Sequence, residues 1–235
     1  GADARLSSPE LARALILGIR NSGCNVMDLG VIPTPLLYFA THTLSSASGV
    51  MLTGSHNPRD YNGIKIVLNR QTLADNQITR LRDRIITNEL LEGEGLYKQH
   101  AIDEAYLAYI CNNLQLRKRF KVVIDCGNGV AALVAPRLFS MLGCEVLPLY
   151  CKVDGNFPNH HPDPTRAENL QDLINAVKTA QADIGIAFDG DGDRVGLVTA
   201  KGRIIDADHM LMAFVMDILP ENPGASIVYD VKSSH

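Results

Sequence analysis

The chain has 235 residues, a length that suits two domains of about 100 to 150 residues better than one. Its 46% hydrophobic and 20% charged residues exclude a disordered or fibrous protein, and a formal charge of -4 with pI near 6.0 argues against broad nucleic-acid binding, which wants a basic surface. No apolar run approaches the ~20 residues that span a bilayer, so a cytoplasmic protein without nucleic-acid or membrane partners is expected. The five cysteines, Cys24, Cys111, Cys126, Cys144 and Cys151, are odd in number and lack zinc-type spacing, which predicts reduced, buried thiols.

In chain order, Ser7-Ser8-Pro9-Glu10 reads as a capping box, opening a helix that carries Leu11, Leu15, Ile16 and Ile19 and ends at Gly23. A strand is predicted at 26–29, a turn at Pro33 and Pro35, a helix through Leu36, Leu37, Phe39 and Ala40, and a strand at 50–52. Ile64, Ile66 and Leu68 alternate as a further strand, and a helix is predicted over 74–88. Glu92-Gly93-Glu94-Gly95 reads as a linker, with a domain boundary near residue 100.

The second half repeats this order with a strand at 122–124, a Gly-rich turn and a helix through Leu133, Leu138 and Met141. Gly143-Cys144-Glu145-Val146 echoes Gly23-Cys24-Asn25-Val26. A helix through Leu170, Leu173, Ile174 and Val177 and an apolar strand at 184–188 complete it. Residues 204–205, 210–218 and 227–229 read as the strand, helix and strand that begin a third unit. The expected division is 1–100, 101–203 and 204–235, two related α/β domains and the start of another.

Two polar loops, one in each half and each after an apolar strand, carry the chemistry. In Thr53-Gly54-Ser55-His56-Asn57-Pro58, Ser55 lies just past the carboxyl end of a strand, where open α/β sheets place ligands. His56, Arg59 and Lys65 supply nearby donors for phosphate. Every residue of this loop also suits a plain turn, but a G-x-S-x-G elbow is absent.

In Asp189-Gly190-Asp191-Gly192-Asp193-Arg194 three carboxylates alternate with glycine, hard oxygen donors at a density that suits Mg²⁺ or Ca²⁺. An EF-hand would need Gly and Glu where Arg194 and Ala200 stand. Arg194 follows the carboxylates and could hold a phosphate beside the metal. A hydroxyl and a cation site together point to phosphoryl transfer. Asp125-Cys126-Gly127-Asn128-Gly129 reads as a structural turn, and Asn159-His160-His161-Pro162-Asp163-Pro164 as an ordered loop without a catalytic role.

With both loops in view, the chain resembles an α-D-phosphohexomutase of the bacterial phosphomannomutase/phosphoglucomutase branch. Thr53-Gly54-Ser55-His56-Asn57-Pro58, continued by Tyr61-Asn62-Gly63-Ile64-Lys65, carries the resemblance together with the aspartate loop. It implies three-layer α/β/α domains with mixed sheets, and Ser55 as a phosphoserine. It further implies that Asp189, Asp191 and Asp193 bind Mg²⁺ with an oxygen at Ser55 as a further ligand, that His56, Lys65 and Arg194 assist transfer, and that Arg194 and Lys232 contact substrate. The implied substrates are mannose or glucose phosphates, exchanged through a hexose 1,6-bisphosphate by a monomer.

The resemblance also implies a preceding strand and arginine-bearing segment, a completed third domain and a fourth. On that basis the 235 residues alone are expected to bind metal and turn over poorly. A noncatalytic phosphosugar-binding or metal-binding module is the alternative.

Overall fold

The structure is a computed structural model that describes residues 1–231 and Ser233; Lys232, expected to face substrate, lies outside the described residues. The first half runs α1 (Ser8–Asn21), β1 (Val26–Asp28), α2 (Thr34–Thr43), β2 (Gly49–Leu52), β3 (Ile64–Leu68), β4 (Gln71–Thr72), α3 (Asn76–Ile86) and β5 (Tyr97–Gln99). After α4 (Asp103–Asn113) the second half runs β6 (Lys121–Asp125), α5 (Ala135–Met141), β7 (Glu145–Leu149), α6 (Gln171–Ala180), β8 (Ile184–Phe188), β9 (Val195–Thr199) and β10 (Ile204–Ile205), and α7 (Ala207–Ile218) follows.

The second sheet has the order β10-β9-β8-β6-β7. Its β6 is parallel to β7 and β8, whereas β9 is antiparallel to both β8 and β10. Alternation along β6 sends Val122 and Ile124 into a cluster with Ala131 and Ala135 beneath α5, and Val123 into another with Leu173 and Val177 of α6. This interior strand is therefore buried on both faces, giving the three layers. Each large side chain so buried contributes on the order of 1.5–3 kcal/mol.

In the first half β2, β3 and β4 form an antiparallel meander, and β1 pairs in parallel with β5. Ala2 bridges Val31 on one side and Leu52 on the other, joining these pieces. The repeated tetrads make the same turn. Cys24 N–H donates to Ile19 O and Gly23 N–H to Arg20 O, while Cys144 N–H donates to Phe139 O and Gly143 N–H to Ser140 O. Gly23 and Gly143 have φ of 85° and 88°, so each helix ends in a left-handed glycine before its next strand.

Several local expectations change. The capping box does not form, because Ser7 makes no side-chain cap; Ser8 Oγ donates instead to Asp3, and Asn62 Nδ2 donates to both serine hydroxyls. Residues 92–95 are no loose linker: Gly93 and Gly95 donate to the carbonyls of Asn21 and Arg20, strapping the end of α1 before β5. β10 pairs with β9 as the edge of the second sheet, and residues 227–229 form no strand: among the described residues no strand pairs with them.

Helix α4, absent from the sequence reading, packs between α2 and α5. Its Leu107 joins Leu36, Met51, Ile102 and Val134 in one core shared by the two halves. Of the five cysteines Cys126 and Cys144 are buried and Cys24 is exposed; all are free thiols.

Candidate active site

Both functional loops are connections between antiparallel strands. Residues 53–63 join β2 to β3, whose ladder closes at Leu52 and Ile64, and residues 189–194 join β8 to β9, closed at Phe188 and Val195. Pairing on both sides fixes where each loop starts and ends, and the two tips meet. Ser55 Oγ donates to Asp189 Oδ2 at 2.7 Å across 134 positions of sequence. The approach depends on Gly190, where a Cβ would lie 2.5 Å from the carbonyl oxygen of Ser55.

Four further hydrogen bonds, from Thr34 and Lys65, hold the aspartate loop against the first half. Thr34, at the start of α2, donates its hydroxyl to Asp191 Oδ2 at 2.6 Å and its N–H to the Asp191 carbonyl at 2.9 Å. Lys65, paired across the ladder with Met51, donates to Asp191 Oδ2 at 2.7 Å and Asp193 Oδ2 at 2.5 Å. Within the loop, Asp189 Oδ1 accepts the N–H groups of Asp193 and Arg194, both at 3.1 Å.

These contacts set the charges. Burial, followed by the neighbouring Asp191 and Asp193 charges, pushes Asp189 up to about 7. Burial also acts on Asp191, but the hydrogen bonds from Lys65 and Thr34 outweigh it and hold that carboxyl below the usual range. Lys65 is raised for the converse reason, its two carboxylate partners outweighing the cost of burial. Two adjacent carboxylates driven apart in this way mark a site short of positive charge.

A divalent cation fits that deficit. Ligand atoms of Asp189, Asp191 and Asp193 lie within 4.8 Å of one another, and Asp191 Oδ1 is buried without a hydrogen-bond partner. An all-oxygen donor set with one acceptor left open is the chemistry of a hard ion such as Mg²⁺.

A pH dependence follows. A carboxyl raised to about 7 makes the folded, metal-free protein bind more protons than the unfolded chain, so its contribution to stability falls as pH rises from about 4 through 7. Raised His160, lifted by Asp125 against burial, tilts stability the same way, so the cation-specific part is isolated by difference. Stabilisation of the full-length protein by Mg²⁺ is expected to grow between about pH 5.5 and 8. Thermal unfolding with Mg²⁺ and with EDTA across that range checks it, and a difference that does not change with pH would remove Asp189 from the donor set.

Of the other predicted residues, half-buried His56 has Nδ1 3.5 Å from Ser55 Oγ. Arg194 is exposed, and its guanidinium has no hydrogen bond or ion pair among the described residues. The ordered-loop reading of 159–164 agrees with the geometry. His160 Nε2 lies 3.0 Å from Asp125 Oδ2 and its Nδ1 2.9 Å from the His161 carbonyl, so both ring nitrogens are engaged in bracing.

Thr34 was missed. A threonine between two prolines looks like turn chemistry, and its contact to Asp191 spans 157 positions. No local pattern announces it.

Residues 1–92 match the family model for phosphoglucomutase/phosphomannomutase, alpha/beta/alpha domain I, and residues 104–202 match that for domain II. A phosphomannomutase/phosphoglucomutase of Pseudomonas aeruginosa is 56% identical over 232 residues, 99% of this chain and 50% of that protein. A phosphoglucomutase of Neisseria gonorrhoeae is 47% identical over 236 residues, covering 100% of this chain and 51% of its own length.

A crystal structure of a phosphoglucomutase/phosphomannomutase family protein from Burkholderia thailandensis superposes with TM-score 0.95 at 48% identity, over 98% of this chain and 52% of that one. The chain thus spans about half the length of the curated relatives it matches. With both of its α/β/α halves matched and its two loops in contact through Ser55 and Asp189, the chain belongs to the phosphoglucomutase/phosphomannomutase family, the α-D-phosphohexomutases.

Proposed function

We propose that the full-length protein is a phosphohexomutase that interconverts the 1- and 6-phosphates of mannose, glucose or both. Phosphorylated Ser55 and a hexose 1,6-bisphosphate are its intermediates, Mg²⁺ its metal, and a cytoplasmic monomer its form. The observation that carries this reading is the 2.7 Å hydrogen bond from Ser55 Oγ to Asp189, which brings a hydroxyl nucleophile to a cluster of three carboxylates. The names of the P. aeruginosa and N. gonorrhoeae relatives support the substrate class.

In the forward half-reaction a sugar hydroxyl oxygen bonds to phosphorus as the bond from phosphorus to Ser55 Oγ breaks. The hydroxyl gives up its proton and Oγ takes one up. His56 is assigned that proton movement, because its Nδ1 is 3.5 Å from Oγ. Lys65 lies against the same cluster and offsets charge on the transferring oxygens. Exposed Arg194, and Lys232, are assigned to the substrate phosphate. When bound to Asp189, Asp191 and Asp193, a divalent cation lowers the charge penalty at the transferring group. Reorientation of the bisphosphate and return of its other phosphoryl to Ser55 complete the cycle.

Intact-mass measurement of the full-length protein after exposure to glucose 1,6-bisphosphate or mannose 1,6-bisphosphate tests this. One phosphoryl group per chain, mapped to the Ser55 peptide, is expected, together with interconversion of hexose 1- and 6-phosphates that EDTA suppresses. A full-length protein that never carries phosphoryl on Ser55 would leave the noncatalytic binding module standing.

A further inference from the structure

A fully buried arginine lies beneath the nucleophile loop. The Arg5 side chain has 0% exposure, and all five of its N–H donors are taken. Nε donates to Asp3 Oδ2 at 3.0 Å. Nη2 donates to the carbonyls of Ser55 at 2.8 Å and Asn57 at 2.7 Å. Nη1 donates to the carbonyls of Tyr61, at 2.9 Å, and Pro58. A guanidinium has five donors in a rigid fork, and here four of them are spent on the backbone of one loop, residues 55–61.

The loop has little else to shape it. Its internal backbone bonds are Asn57 N–H to Gly54 O and Tyr61 N–H to Pro58 O, so Arg5 serves as its interior in place of an apolar core. Asp3 completes the cradle, its Oδ2 accepting from Thr53 Oγ1 at 2.9 Å and from the Gly54 N–H at 3.1 Å. Gly54 is required beside it, since a Cβ there would lie 2.5 Å from Arg5 Cζ. Phe157, from the second half, covers the guanidinium with its ring centroid 5.3 Å from Cζ.

We infer that Arg5 is a positioning residue for phosphoryl transfer, acting on Ser55 through the loop backbone without touching substrate. Ser55 has φ of 48°, a left-handed conformation that L side chains disfavour. Its carbonyl is gripped by Nη2 on one side and approached by Gly190 on the other. Without the fork, the Ser55 peptide is free to relax out of that conformation and carry Oγ away from Asp189. This inference rests on the reading of Ser55 as the phosphoryl carrier.

The test uses Arg5→Lys in the full-length protein, which keeps the charge opposite Asp3 but cannot hold four carbonyls. Provided that the variant unfolds cooperatively, kcat is expected to fall about 100-fold, the scale of a displacement near 1 Å. KM for the hexose phosphate should stay within about twofold, and Ser55 should still become phosphorylated, slowly. Phe157→Leu, which removes only the ring cover, is expected to lower kcat a few-fold with KM unchanged, and it decides the matter if Arg5→Lys does not fold.

A folded Arg5→Lys protein with wild-type kcat overturns the inference while leaving the proposed function intact. So does a loss carried wholly by KM. Failure of the wild-type protein to take up phosphoryl on Ser55 overturns both.

Discussion

Ser55→Ala in the full-length protein is expected to abolish hexose phosphate interconversion, by at least about a thousandfold, and to leave the fold intact. The size follows from the proposed role: if Ser55 carries the covalent intermediate, its removal eliminates the route. Stability should change little. The hydroxyl donates to Asp189, a bond worth roughly 1 kcal/mol, and has only the longer 3.5 Å contact to His56 Nδ1 besides, while the loop is held mainly by Arg5 and Asp3. Rates with mannose and glucose phosphates, read beside thermal unfolding and intact mass, check the result. A residual rate above about one hundredth of wild type would place the nucleophile elsewhere.

The second large effect is expected from a single methyl group. In Gly190→Ala the new Cβ would stand 2.5 Å from the Ser55 carbonyl oxygen, and that oxygen cannot retreat because Arg5 Nη2 holds it at 2.8 Å. The two loops must separate. Overpacking of this kind costs about 1–3 kcal/mol, and parting Ser55, the proposed nucleophile, from the carboxylates by up to about 1 Å should lower kcat by one to two orders of magnitude.

Gly143→Ala is the matched control. Its φ of 88° makes alanine unfavourable there too, yet no atom lies within 4 Å of the added carbon, so stability should fall while kcat holds. Equal kcat in the wild-type and Gly190→Ala proteins would mean that the close approach of the loops is not needed for turnover.

How far the sequence reached depends on the range of the interaction that decides each feature. Strands β2, β3, β6 and β8 and helices α2, α3 and α6 follow from local periodicity, and both loops were legible because their residue types are concentrated in short stretches. Helix α4 was not, since Tyr106, Leu107, Tyr109 and Ile110 give it apolar residues on several sides and it shows no single stripe; it lies where both halves offer it a surface. Strand β10 and the absence of a strand at 227–229 turn on which partner is available.

The capping box failed for a similar reason: Asp3 and Asn62 outcompete the helix terminus for the two serine hydroxyls. At the site, the types of donor could be read from the chain. The links that aim them, Thr34 to Asp191 and Arg5 to the carbonyls of 55–61, join positions about 50 to 157 apart and have no local signature.

The polar and charged groups where the two loops meet also fasten the two halves of the chain together. Lys65, Thr34 and Ser55 on one side, and Asp189 and Asp191 on the other, are the groups assigned above to the chemistry or to its support, and they also form the clasp between the halves. A substitution at such a position is therefore expected to act twice, on turnover and on cohesion, and a gain in one can be lost through the other. Gradual drift in substrate preference has a freer path through residues outside the clasp. Arg194, whose exposed guanidinium has no hydrogen bond or ion pair among the described residues, is such a residue, and exchange of its side chain is expected to leave the contact between the halves in place.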